Sequence, residues 1–205
     1  MRITVRNQEG NAPFSTVEDI SIRDNVIQNA GDGINILGKD DSHPSQPLKN
    51  LTIENNLFLN IAGGDGFDGS GYLVQVSDGI DIAFVNNTAF NKGNIVSFYG
   101  NTPQNFAFHD NIVGHGNYGV HGLSDLESPV ARAIFQNNIF INLNGVSAED
   151  YAFPPGNWIV AAISDVGFQN PVNGDYRLTS MSRFHGKGHG GKDPGSNLPS
   201  TVKSL

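Results

Sequence analysis

The stretch Leu51-Thr52-Ile53-Glu54-Asn55-Asn56 decides the fold, because its pattern of apolar, any, apolar, any, Asp or Asn, then Asn occurs five times. The other copies begin at residues 20, 82, 106 and 133, and the closing asparagine recurs after 31, 31, 24 and 27 residues. Apolar alternation over so short a run predicts a strand rather than a helix. A repeat of this length with one short strand phrase per copy is typical of a solenoid.

Each copy holds three short strand segments, the last of which reads Gly33-Ile34-Asn35-Ile36 in the first copy and Leu73-Val74-Gln75-Val76 in the second. Equivalent strands would stack in parallel about 4.8 Å apart, so that the closing asparagines form a ladder of amide hydrogen bonds. We therefore assign the recurring asparagines a structural role rather than a catalytic one. They are Asn25, Asn56, Asn87, Asn111 and Asn138.

The predicted fold is all-β: a right-handed parallel β-helix of about five rungs over residues 1–147. The repeat fails near Ser147, where Pro154-Pro155-Gly156 and a Gly-rich tail follow. We predict that residues 148–205 form an irregular segment that docks on the helix and ends in a flexible tail. At the other end, Arg2-Ile3-Thr4-Val5 already has a strand pattern. We therefore expect the N-terminal end of the solenoid to continue into further chain or to pack on a partner.

Composition narrows the class of protein. Hydrophobic residues make up 38% of the 205 residues, charged residues 16%, and there are 25 glycines, which suits a turn-rich all-β chain. The net charge of −8 and the lack of a basic patch argue against nucleic acid as a partner. The chain has no cysteine, and so no disulfide or thiolate site. No apolar run reaches membrane-spanning length, and no signal peptide opens the chain.

Several phrases resemble known proteins. The repeat with its asparagine ladder resembles right-handed parallel β-helix proteins of the pectate-lyase-like superfamily. Val5-Arg6-Asn7-Gln8-Glu9-Gly10, His43-Pro44-Ser45-Gln46 and Asn173-Gly174-Asp175-Tyr176-Arg177-Leu178 are similar to a group of large secreted β-helix proteins of bacteria, especially soil Acidobacteria. The resemblance implies the C-terminal part of a longer, extracellular protein. It brings no catalytic residue with it, and the chain departs from the group's pattern at Ser182-Arg183, where Ser-Pro is usual.

The first candidate for chemistry is Asp40-Asp41 with His43. Two carboxyl groups can divide the acid and base roles of glycoside hydrolysis, and these lie in a loop, where functional residues concentrate. The alternative is that the aspartates simply form turns.

Asp65 and Asp68, in the Gly-rich insertion, are candidate ligands for Ca²⁺, which prefers oxygen donors on flexible loops. Their spacing does not match a full calcium loop, so a solvated Gly/Asp turn is the alternative.

Arg23 and Glu54 are a third candidate pair, because a lyase needs a base above a carboxylate-binding site. They lie one rung apart, and an ordinary cross-strand ion pair also explains them. His109 lies in the same outward column. It and the following Asp110 are predicted to face opposite ways on the strand, and therefore not to form a catalytic dyad.

Tyr99, Tyr118 and His121 are candidate sugar-binding residues, since outward aromatic rings can stack on sugars, although scattered surface aromatics need no special role. His185 and His189 have the four-residue spacing that aligns metal ligands on a helix, but a Gly-rich tail is not a helix.

Two functions remain open. One is a non-catalytic, carbohydrate-associated or structural part of a secreted protein that binds or supports polysaccharide. The other is a polysaccharide lyase or glycoside hydrolase in which Asp40, Asp41, Asp65 or Asp68 does the chemistry. Convergence of Asp40, Asp41, His43, Arg23 and Glu54 within one groove would favour the enzyme.

Overall fold

A computed structural model describes residues 1–64, 66–114, 116, 119–129, 131–142 and 153–199 of the chain. Tyr118 and Asp65 lie outside these residues. In the described part, three sheets contain parallel strands, and a short antiparallel hairpin and one helix, α1 (Leu123–Glu127), complete the regular structure together with three-residue 3₁₀ turns. The prediction of an all-β chain with parallel strands in stacked sheets is confirmed, and the arrangement fits a parallel β-solenoid.

From residue 2 to residue 141 the strands follow the order sheet A, sheet B, sheet C and back to sheet A as the chain advances. Sheet A contains β1 (Arg2–Thr4), β4 (Ile34–Leu37), β7 (Val74–Ser77), β10 (Val96–Phe98) and β13 (Val120–His121). Sheet B contains β2 (Glu18–Arg23), β5 (Lys49–Glu54), β8 (Ile80–Val85), β11 (Gln104–His109) and β14 (Ile134–Gln136). Sheet C contains β3 (Val26–Ala30), β6 (Leu57–Ile61), β9 (Thr88–Asn91), β12 (Ile112–Gly114), β15 (Ile139–Ile141) and β16 (Trp158–Val160). The hairpin is β17 (Phe168–Asn170) with β18 (Asp175–Leu178).

The repeated phrase stacks in register in sheet B. Ile20 pairs with Leu51, Leu51 with Ile82, and Ile82 with Phe106. The inward side chains of successive rungs therefore lie above one another, and the rings of Phe84 and Phe108 stack with centroids 5.1 Å apart. Burial of such aromatic columns, with about 0.5–1.5 kcal/mol per ring pair beyond area burial, holds neighbouring rungs together.

The two residues of the Asp/Asn-Asn doublet at the corner between sheets B and C have different structural roles. Its first residue turns the chain through a left-handed backbone, with φ between 52° and 59° at every copy. Asp and Asn tolerate that conformation better than other residues with a side chain. These corner residues are Asp24, Asn55, Asn86, Asp110 and Asn137.

The second residue of the doublet forms the amide ladder. Asn56 Nδ2 donates to Asn87 Oδ1 at 3.0 Å, and the same bond links Asn87 to Asn111 and Asn111 to Asn138. The ladder continues beyond the five predicted asparagines, because Asn138 Nδ2 donates to Asn157 Oδ1 at 2.9 Å. Strand β16, which follows Asn157, pairs in parallel with β15.

The hairpin covers the outer face of sheet C. Phe168 and Tyr176 pack on Phe90, whose ring centroid lies 4.7 Å from that of Tyr176, and Trp158 packs on Phe184. Strands β12 and β15 are consequently buried on both faces.

Residues 185–197, which we call the strap, then run back along the corner between sheets B and C. Gly195 N donates to Asp110 O at 2.7 Å, Asn86 Nδ2 to Asp193 O at 3.0 Å, and Asn197 N to Asn55 Oδ1 at 2.8 Å. The strap thus contacts three successive rungs through polar groups. The predicted flexibility of the tail concerns motion and stays a prediction.

At the opposite end, β2 and β3 are the terminal strands of sheets B and C, and Ile20, Ile22 and Ile27 are only partly buried. The expectation of further chain or a partner at this end stays a prediction. The described residues contain no helix that is long and apolar enough to cross a membrane.

Candidate functional site: the outer face of sheet A

A row of polar side chains crosses the outer face of sheet A. Backbone register places Asn35 beside Gln75, Gln75 beside Ser97, and Ser97 beside His121. Their neighbours Ile34, Val74 and Val96 are buried in the core, as the alternation of side chains along a strand requires. We call these four residues the outer row. Asn35 Nδ2 lies 3.5 Å from Gln75 Oε1, and Ser97 Oγ lies 3.3 Å from His121 Nδ1, so members of the row are linked in pairs.

Tyr99 lies across this face from the end of β10. Its hydroxyl donates to the carbonyl oxygen of Ile36 on β4 at 3.0 Å, and its own backbone N–H donates to Val76 O on the intervening strand β7. The ring is therefore held at both ends while 47% of the residue remains exposed. Burial of the hydroxyl end raises the pKa of Tyr99, so the phenol stays neutral at physiological pH.

Charged groups surround Tyr99. Asp41 and Asp78 raise its pKa and Arg2 and Arg6 lower it, which places both signs of charge around the ring. Arg6 forms an ion pair with Asp41. The outer row and Tyr99 thus combine amide, hydroxyl and imidazole groups with one fixed, half-exposed ring.

The carboxylate of Asp40 is used within its own loop. Its side chain is 1% exposed, and it accepts the backbone N–H groups of Asn7 at 2.7 Å and of Ser42 and His43 at 2.8 Å each. These three hydrogen bonds lower the pKa of Asp40 to about 2. The hydrogen bond from Arg6 lowers the pKa of Asp41. Both groups are ionised at neutral pH, so neither is poised to act as a general acid.

Arg23 and Glu54 form the cross-strand ion pair that their spacing suggests, with Nη1 and Oε2 2.7 Å apart. They line a groove of about 560 Å³ between the corner and the strap, which also involves Arg177, His185 and Lys192. The loop that holds Asp40, Asp41 and His43 enters strand β5 at its first residue, whereas Glu54 ends that strand. The strand spans about 16 Å between these two ends. The groove is lined by Arg23 and Glu54 and by none of Asp40, Asp41 and His43.

The Gly-rich insertion is also organised by a carboxylate. Asp32 Oδ1 accepts the backbone N–H groups of Ser70 and Tyr72 at 3.0 Å each, while the side chain of Asp68 is exposed. Among the described residues, no group of three or more His, Asp or Glu side chains is arranged to hold a metal ion. The Ca²⁺ site predicted at Asp65 and Asp68 includes a residue outside the described part and stays a prediction.

The prediction that His109 and Asp110 face opposite ways is wrong. His109 Nδ1 lies 2.8 Å from Asp110 Oδ2. Strand alternation ends at His109, because Asp110 has φ 58° and turns its carboxylate back along the chain. In the strap, His185 Nδ1 forms a similar contact of 2.9 Å with Asp193 Oδ1.

No family model, curated protein or solved structure matches this chain. The fold and the geometry of its surfaces therefore carry the functional argument.

Sequence reasoning missed the half-buried Asn35 and Gln75 and the buried Ser97 as members of this row, although it singled out Tyr99 and His121 on the same face. The signal was present in Gly33-Ile34-Asn35-Ile36 and Leu73-Val74-Gln75-Val76, where a polar residue stands between two apolar ones. Period-2 alternation assigns that polar residue to the outer face.

Proposed function

We propose that this chain is a right-handed parallel β-helix of about five rungs and a non-catalytic, carbohydrate-associated part of a longer secreted protein, which binds polysaccharide on the outer face of sheet A. The observation that carries the proposal is the outer row with Tyr99 fixed across it. Right-handedness is supported by the near-universal hand of parallel β-strand crossovers. The longer, secreted protein is supported by the resemblance of the repeat and the C-terminal phrases.

The chemistry of the outer row suits a polyhydroxylated ligand. Asn35 and Gln75 each carry a carbonyl acceptor and an amide donor pair, which are only partly used by the contact between them, and the sugar hydroxyl group both donates and accepts. The exposed ring face of Tyr99 offers an apolar surface to sugar C–H groups, with little entropy left to lose because its hydroxyl is already bound. The row spans four neighbouring strands, so a polymer that crosses them would meet the half-buried amides of Asn35 and Gln75 and the exposed ring of His121, whereas Ser97 is buried.

The non-catalytic part of the proposal is supported by the hydrogen bonds and ion pairs that the candidate acidic residues already form. The carboxylate of Asp40 is occupied by three backbone N–H groups, and that of Asp41 by Arg6. Arg23 and Glu54 neutralise each other at the far end of sheet B. A convergent acid, base and cation set is not formed by these residues.

The test is affinity electrophoresis of the full chain in gels that contain polygalacturonate, alginate, xylan or a neutral β-glucan. We expect retardation by at least one polymer and a loss of at least tenfold in affinity, about 1.4 kcal/mol, in Tyr99→Ala. Phe14→Ala is the matched control, because Phe14 is an aromatic residue that is 83% exposed and is not one of the sheet A residues.

Equal retardation of the wild type and Tyr99→Ala, or no retardation by any polymer, would overturn the binding surface. The same polymers, incubated with the protein with and without Ca²⁺, test the absence of catalysis. Unsaturated products or new reducing ends would show that the chain is an enzyme.

A further inference from the structure

Two histidines meet at the point where the strap is anchored to the solenoid. His109 ends strand β11, and His189 lies in the strap; their ring centroids are 6.4 Å apart with the planes inclined by 59°. One buried carboxylate holds both residues. Asp110, which is 2% exposed, contacts His109 Nδ1 through Oδ2 and accepts the backbone N–H of His189 through Oδ1 at 2.9 Å.

The carboxylate fixes the tautomer of His109. An ionised carboxylate accepts hydrogen bonds and does not donate them, so the proton of the neutral His109 ring lies on Nδ1. The lone pair is then on Nε2, on the side of the ring away from Asp110. A carboxylate that orients a histidine in this way is the usual outer-shell partner of a metal-binding imidazole.

The two rings are close enough for a small side-chain rotation to bring them onto one ion. A Zn–N bond is about 2.1 Å long, so a bound ion lies about 3.2 Å from each ring centroid, and the tetrahedral angle that zinc prefers sets the two centroids about 5.2 Å apart. The observed separation of 6.4 Å is about 1 Å longer than this. His189 is exposed, so rotation of its side chain can close the angle at the ion without disturbing the core.

A structural role explains part of this arrangement. Asp110 caps the first N–H of the 3₁₀ turn His189–Gly191, and this accounts for the burial of the carboxylate. It does not account for the placing of a second imidazole beside the oriented ring of His109. The pair His185–Asp193 has the same His–carboxylate contact, and among the described residues no second histidine ring packs on His185. It therefore serves as an internal comparison.

We propose that His109 and His189 together bind a divalent transition-metal ion of the kind that imidazole prefers, namely Zn²⁺, Ni²⁺ or Cu²⁺. The two Nε2 or Nδ1 lone pairs are the protein ligands, water fills the other positions, and Asp110 orients His109 without touching the ion. Because one ligand belongs to the strap and the other to the solenoid, the ion clamps the strap in place. The inference is independent of polysaccharide binding.

The experiment is calorimetric titration of the full chain with ZnCl₂, NiCl₂ and CuCl₂ at pH 7.5, together with thermal unfolding at the same metal concentrations. We expect one equivalent bound, an increase in Tm, and at least tenfold weaker binding in His109→Gln and His189→Gln. His185→Gln and His121→Gln are expected to bind as the wild type does. Histidine NMR signals give an independent readout, since Cu²⁺ should broaden the ring protons of His109 and His189 first.

His189→Gln is the decisive variant, because an exposed residue can be replaced without risk to the fold; a far-UV CD spectrum checks this. Binding that survives His189→Gln would overturn the proposal. So would binding that is lost in His185→Gln or His121→Gln instead, or no binding by the wild type at 1 mM metal.

Discussion

The replacement of Asn87 by alanine tests the amide ladder at a fully buried position. Asn87 is 0% exposed, and its Nδ2 donates to Ile53 O, Val85 O and Asn111 Oδ1 at 2.9 to 3.1 Å. Its Oδ1 accepts the backbone N–H of Asn56 at 2.9 Å and Asn56 Nδ2 at 3.0 Å. Alanine removes all of these bonds at once.

The cost follows from the groups that are left behind. Asn56 Nδ2 keeps its bonds to Ile22 O and Glu54 O, and Asn111 Oδ1 keeps the backbone N–H of Asn87. The backbone N–H of Asn56 has no such replacement. A buried donor without a partner costs about 1–3 kcal/mol. The carbonyl oxygens of Ile53 and Val85 each lose one hydrogen bond, and the missing side chain leaves a small cavity. Together with the unpaired N–H, we expect a loss of about 3 kcal/mol in the free energy of unfolding.

That loss is a large share of the roughly 5–15 kcal/mol that stabilises a typical domain. Urea unfolding followed by far-UV CD measures it. With an m-value of about 2 kcal/mol/M, the midpoint should fall by about 1.5 M while m is unchanged. Asn25→Ala is the matched control, because Asn25 is exposed at the end of the ladder and donates only to Arg23 O and Asn56 Oδ1. We expect it to cost less than about 1 kcal/mol. Equal losses in the two variants would refute the idea that buried amide pairing, rather than a general need for asparagine, stabilises the corner.

Three other predictions concern single side chains. Asp40→Asn should lower the free energy of unfolding at pH 7 but not near pH 2, and urea titrations at the two pH values would reveal this. Because the pKa of Asp40 is lowered to about 2 in the folded chain, its ionised carboxylate stabilises the fold above about pH 4, and this stabilisation disappears as the carboxylate is protonated. Gly31→Ala should lower the free energy of unfolding by about 3 kcal/mol or more, because its Cβ would lie 1.7 Å from Asp68 O. Gly64→Ala is the control: its Cβ meets no atom within 4 Å, so the variant should lose only the roughly 1–2 kcal/mol that a positive φ costs, and similar melting temperatures for the two variants would contradict this. Arg23→Gln should lower the free energy of unfolding by about 0.5 kcal/mol, and by less in 1 M NaCl, because the ion pair with Glu54 is half exposed and salt screens it. A loss of the same size in high salt would mean that Arg23 has another role.

The regular part of the fold was predictable because it repeats. The phrase ending in Asn56 specifies the strand, the left-handed corner residue and the ladder position within six residues, and each later copy adds the same information. Asn157 was missed because Pro154-Pro155-Gly156 stands where the apolar alternation should precede it. What the sequence still offered for this ladder position was an asparagine followed by an apolar residue, Asn157-Trp158.

The polar contacts between distant segments were not predictable. The three N–H groups that hold Asp40 come from two loops, and a loop aspartate with structural partners has the same sequence pattern as one with a substrate. The dyad of His109 and Asp110 was excluded by extending strand alternation one residue too far. Such errors arise where backbone regularity ends, since the direction of a side chain then depends on a single φ angle.

The strap changes how the stack should come apart. In a simple solenoid each repeat touches only its neighbours, so end rungs fray one at a time and cooperativity is limited to adjacent repeats. Here one segment bonds to Asp110, to Asn86 and, across 142 positions of sequence, to Asn55. A rung in the middle cannot open without releasing that segment from the others. The polar tail thereby couples rungs that share no direct contact, and it should make local opening of the corner a single concerted event rather than a stepwise one.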